Sequence, residues 1–77
     1  MKELLEFLAR ELVDDPDAVE VTESSDDRGV LLTLRVAPDD MGKVIGRGGR
    51  TARAIRAVVR ASATRQGIHS VFVEIAD

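Results

Sequence analysis

The chain has 77 residues, two phenylalanines as its only aromatics, one histidine and no cysteine. That leaves a single domain near the lower limit for folding unaided, and excludes a disulfide framework, a thiolate metal site, a histidine pair and a cysteine nucleophile. The net charge of −3 hides a segregation: residues 1–40 carry twelve acids against four bases, whereas residues 41–73 carry Lys43 and six arginines and no acid, an asymmetry that points to a polyanionic partner.

Met1, Leu4, Leu5, Leu8 and Leu12 recur at helical spacing, with Phe7 off that stripe, which predicts an amphipathic first helix. Its acidic start is unlike a signal peptide, and no apolar run approaches the roughly 20 residues of a membrane span. The expectation is therefore a cytoplasmic protein that does not engage a membrane. Asp14-Asp15-Pro16 ends the helix, because the residue before a proline is pushed out of the α region. Residues 19–23 alternate apolar and polar as a half-buried strand does. Ser24 to Gly29 is polar turn chemistry. Val30, Leu32, Leu34 and Val36 then share one face, with Thr33 and Arg35 on the other. The two runs predict an antiparallel hairpin with one wet side.

Pro38-Asp39-Asp40 suits a helix opening, since proline pre-sets φ and acids favour the positive end of the dipole. Only a short helix, 39–45, fits before the glycines. Residues 50–65 read as a longer helix with Ile55, Val58, Val59 and Ser62 on one side and Arg53, Arg56 and Arg60 opposite. Gly67 closes it, and Val71, Val73 and Ile75 mark a last strand. The order α-β-β-α-α-β predicts a two-layer α+β sandwich with the helices on one face of a three-stranded sheet. The expected core is Leu4, Leu5, Leu8, Leu12, Val19, Val21, Leu32, Leu34, Val36, Ile55, Val59, Val71, Val73 and Ile75. So small a core makes self-association through an exposed apolar patch a reasonable expectation.

Between the last two helices lies "VIGRGGRT", residues 44–51, with three glycines in four positions. A P-loop would need its second glycine five residues after Gly42, where Arg47 stands. The dinucleotide fingerprint begun at Gly46 would need glycine at Thr51, and a βαβ unit that this order lacks. No nucleotide cofactor is expected. A helix–Gly-x-x-Gly–helix turn has other uses: bare main chain lets a sugar–phosphate strand lie close, and the following helix presents its positive end to it. Lys43, Arg47 and Arg50 add positive charge beside the turn.

"KVIGRGGRTARAIR", Lys43 to Arg56, resembles the [IV]-I-G-x-x-G signature of the K-homology (KH) domain. The element order is similar to its bacterial type II arrangement, and the resemblance spans the whole chain as one domain, most like the small stand-alone bacterial KH proteins. In that family the Gly-x-x-Gly loop clamps about four nucleotides of a single strand. The resemblance therefore implies single-stranded RNA binding at Lys43, Ile45, Gly46, Arg47, Gly48, Gly49, Arg50 and Arg53. Gly48 would be the permissive second x, and Ile45 rather than Val44 the groove residue. Ala52 departs from the pattern, which usually has a bulky aliphatic there, so it offers less surface to a base. The resemblance further implies a homodimer, or a heterodimer with a larger Jag-type KH protein. It also implies a role as RNA chaperone or post-transcriptional regulator affecting cell shape and wall synthesis. A ribosome-assembly factor and a protein-interaction adaptor are the alternative classes. An enzyme is not expected, since no paired carboxylates or nucleophile–base set is evident.

Overall fold

The computed structural model describes residues 1–76; Asp77 lies outside them. The elements are α1 (Lys2–Leu12), β1 (Glu20–Asp26), β2 (Gly29–Arg35), α2 (Met41–Ile45), α3 (Arg50–Arg65) and β3 (Val71–Ala76). Single 3-10 turns at Pro16–Ala18, Pro38–Asp40 and Arg47–Gly49 fill the joints. The expected α+β order is present, in the arrangement of a type II KH fold. Among the described residues, no helix is long and apolar enough to cross a membrane.

The sheet has the order β1-β2-β3, with β1 antiparallel to β2 and β2 parallel to β3. A parallel pair needs a crossover, and α2 and α3 supply it. Burial is confined to one side of the sheet. Val21 pairs with Leu34 and Leu32 with Val73, and these residues pack with Leu5, Ala9, Val44, Ile55, Val59 and Ala63 of the helices. The other side, with Thr22, Leu31 and Phe72, is open.

Three details differ from the sequence reading. The hairpin strands run on to Asp26 and from Gly29, so the expected six-residue turn shrinks to Asp27-Arg28. The Asp26 carboxylate makes the tight turn possible, accepting the Arg28 backbone N–H at 2.7 Å and its guanidinium at 3.1 Å. Such local side-chain bonding is what aspartate contributes to turns. Second, α1 is rotated from the leucine stripe. Leu5 and Ala9 are fully buried, Leu4 and Leu8 are half-buried, and Leu12 is exposed. Third, α3 buries Ala52, Ile55, Val59 and Ala63 while Val58 is exposed. In both helices alanine lies at the close approach, because a methyl lets the backbones draw together where a leucine would hold them apart. A stripe drawn through bulky residues alone misses that face.

Among the described residues, one polar side chain is buried. The Asp40 carboxylate accepts the backbone N–H groups of Asp14 at 3.3 Å and Asp15 at 3.1 Å, and lies 3.5 Å from the Lys43 ammonium. Burial alone would raise its pKa, but the Asp15 and Asp14 N–H groups and Lys43 outweigh that and hold it below the ordinary 3.8. A depressed carboxylate stabilises the fold above its unfolded value, and that contribution disappears as pH falls through the folded one. Asp40→Asn is therefore expected to be less stable than the wild type at neutral pH, with the gap closing below about pH 3.8. Urea melts from pH 7 to pH 2.5 measure it, and a gap independent of pH would contradict it.

Candidate nucleic-acid interface

The loop is built by two different uses of glycine. Gly46 ends α2, its N–H donating to the Gly42 carbonyl at 2.9 Å. Its backbone, at φ 75° and ψ 172°, lies in a region almost reserved for glycine. A Cβ there would run into the Thr51 hydroxyl and lie 2.8 Å from the Thr51 Cβ. Gly46 is thus pressed against the first turn of α3. Gly48 and Gly49 are successive left-handed residues, at φ 63° and 78°, and a Cβ on either would meet nothing within 4 Å. At those two positions the main chain is bare and faces open space. The left-handed backbone makes Gly48 less permissive than a free x position.

The loop forms one wall of a cleft of about 530 Å3. Ile45, Gly48, Gly49, Ala52, Arg53 and Arg56 line that side, and Val73, Glu74 and Ile75 of β3 line the other. β3 is a sheet edge. Val30 donates to the Ser70 carbonyl and Val36 to that of Ala76. Since bonded residues alternate in a parallel ladder, Val73 and Ile75 turn their peptide groups toward the cleft. The Arg56 Nε–H crosses from α3 and donates to the Val73 carbonyl at 3.1 Å. The Arg53 guanidinium braces the loop, donating to the Gly48 carbonyl at 3.2 Å. α3 begins at this loop, so the positive end of a sixteen-residue helix points at it.

Of the residues expected to bind, Ile45, Gly48, Gly49 and Arg53 line the cleft. Ile45 is 38% exposed, whereas Val44 beside it is fully buried. Gly46 lies beneath the loop. Arg47 and Arg50 are exposed on it, outside the cleft lining, and their side chains make no hydrogen bond or ion pair with the described residues. Lys43 is placed differently. Its ammonium lies 3.1 Å from an Asp14 oxygen and 3.5 Å from Asp40. The Asp14 contact, chiefly, raises its pKa, and this commits the side chain to the acidic half of the chain rather than to the cleft.

Ala52, expected in the groove as a small residue, lines the cleft, whereas Arg56, Val73, Glu74 and Ile75 are linings that the sequence reading does not include. Ala52 is 4% exposed, so it packs at the foot of the cleft, where a bulkier side chain would fill the space. Arg56 is half-buried over the strand edge, not solvated on the side opposite the core. Its place was readable in principle, since Arg53 and Arg56 are one helical turn apart. The β3 residues were not, because edge position is a property of the topology.

Known proteins resemble the chain over almost its whole length. A family model described as KhpA/KhpB, KH domain, matches residues 2–75. A Clostridium acetobutylicum protein named RNA-binding protein KhpA is 52% identical over 75 residues, covering 97% of this chain and 99% of its own length. A Streptomyces coelicolor protein of the same name is 49% identical, covering 97% and 94%. One from Aquifex aeolicus is 45% identical over 67 residues, covering 87% and 85%. With the fold, the glycine loop and a match over almost its whole length, the chain belongs to the KhpA/KhpB KH-domain family.

Proposed function

We propose that the protein binds single-stranded RNA in the cleft between the glycine loop and the free edge of β3, and that it is not an enzyme. The observation that carries this is the coincidence of bare left-handed main chain at Gly48 and Gly49, a helix N-terminus and unpaired arginines at the mouth of a cleft. The relatives' names, which say RNA-binding, support the ligand. Arg47 and Arg50 meet the backbone phosphates, the loop amides clamp the strand, and bases lie over Ile45 and the foot at Ala52. The outward peptide groups of Ile75 and the Val73 N–H offer hydrogen bonds to base edges, the Val73 carbonyl being held by Arg56. The test is titration of short single-stranded RNA with the wild type and with R47D/G48D. A folded variant that binds as well as the wild type at equal salt overturns the reading.

A footprint this small gains from pairing, because two linked sites raise each other's effective concentration. The apolar groove between α1 and α3 favours it, with Phe7 60%, Leu12 39% and Val58 45% exposed along it. A second copy, or a larger Jag-type KH protein, is the proposed occupant. Phe7→Asp is expected to lower the sedimentation coefficient of a dimeric wild type to the monomer value. A wild type that sediments as a monomer at tens of micromolar, and takes up no larger KH partner, would remove the proposal. Action as an RNA chaperone or post-transcriptional regulator affecting cell shape and wall synthesis rests on the family resemblance. Crosslinking and sequencing of bound RNA in cells tests it, and a population made up of ribosomal RNA would favour ribosome assembly instead.

A further inference from the structure

Past the cleft, α3 and the free edge of β3 continue side by side. A second hollow of about 270 Å3 lies between them, with Arg60 and Thr64 from the helix and His69, Val71 and Phe72 from the strand and the turn before it. Arg53, Arg56 and Arg60 fall at i, i+3 and i+7, so they form one stripe along α3 that leads from the loop to this hollow. Arg56, reaching across to Val73, floors the passage between the two depressions. No aspartate or glutamate lines the second hollow. Phe72 stands at its rim, 53% exposed on an edge strand beside Leu31.

We propose that the second hollow extends the nucleic-acid path beyond the loop cleft, with Arg60 on a phosphate and the Phe72 ring stacked on a base. Arg53 and Arg56 already line the cleft, and from Arg56 on to Arg60 the stripe advances about 6 Å at 1.5 Å per residue. At about 3.4 Å per stacked nucleotide, that is room for about two nucleotides more. Charge complementarity and continuity with the cleft argue for a polyanion, and the exposed ring argues for unstacked bases, which only a single strand presents. The proposal rests on the RNA-binding reading of the loop.

The experiment titrates labelled oligouridylates of four and eight nucleotides with the wild type, R60A/F72A and R47D/G48D, at two salt concentrations. The longer oligomer is expected to bind the wild type more tightly by more than the about fivefold that extra registers provide. R60A/F72A, whose two side chains are exposed, is expected to remove that surplus and leave the four-nucleotide affinity unchanged. Loss of one stacked base corresponds to roughly fivefold or more. Loss of one phosphate contact flattens the salt dependence of the longer oligomer by about 0.7 in log–log slope. Equal affinity of wild type and R60A/F72A for eight nucleotides overturns the extension, and so does an equal loss at both lengths. Should F72A perturb the circular dichroism spectrum, R60A alone and its salt slope decide. R47D/G48D separates the two readings: if it keeps four-nucleotide binding the loop assignment fails, whatever Arg60 and Phe72 do.

Discussion

R47D/G48D is expected to bind short single-stranded RNA about a hundredfold more weakly than the wild type at low salt, with its fold intact. The first substitution reverses a charge and the second adds one, so the loop becomes more negative by three charges beside the phosphates. Each unit pair at about 4 Å is worth about 1 kcal/mol in water, which places the combined penalty near two decades in affinity. Screening shrinks it, so the ratio between wild type and variant should narrow steadily as salt is raised. Folding is spared for a structural reason. Neither position carries a buried side chain, and a Cβ at Gly48 meets open space. Aspartate also tolerates the left-handed region better than most residues, so the melting temperature should fall by only a few degrees. A variant that melts like the wild type and still binds would show that the strand does not cross this loop.

The sequence carried the element order, the wet side of the hairpin and the place of the loop, because each has a local signal: period, proline, glycine, charge. It carried less where the answer depends on what packs against what. Lys43 reads as one more cation beside a basic loop, yet its charge is taken up by Asp14 and Asp40. Asp14 is distant in sequence, and only the packing of α2 against the end of α1 brings the two together. Ala52 reads as a deficit of apolar surface, yet the structure uses its small size to bring α3 close and leave the cleft open. Arg56 reads as solvent-facing when the apolar side is drawn through Ile55, Val58, Val59 and Ser62. Centring it on Ala52, Ile55, Val59 and Ala63 turns Arg56 toward β3. The other wall of the cleft, Val73 to Ile75, was recognisable as a strand but not as an edge. Mean charge and periodicity do not encode strand order.

Gly46→Ala is expected to cost about 2–6 kcal/mol, a large share of the stability of so small a fold. Two separate penalties combine. The backbone at φ 75° and ψ 172° suits almost no residue but glycine, a strain of order 1–3 kcal/mol. The added methyl also collides with the side chain of Thr51 and comes within 2.9 Å of its backbone nitrogen, overpacking that costs typically 1–3 kcal/mol. Against a total stability of roughly 4–12 kcal/mol for a chain this size, that loss is about half and shows as a large drop in the urea midpoint. Gly48→Asn makes the contrast. Its φ is also positive, but its Cβ has open space and asparagine visits the left-handed region readily, so it should melt within a few degrees of the wild type. The two penalties at Gly46 separate in a double-mutant cycle. Combining Gly46→Ala with Thr51→Gly removes the collision with the Thr51 side chain but leaves the strain, so stability should recover in part and not in full. Urea melts followed by circular dichroism measure all four variants. Equal melts for Gly46→Ala and Gly48→Asn would mean that close approach to α3 does not fix the loop, and that positive φ alone accounts for the glycines.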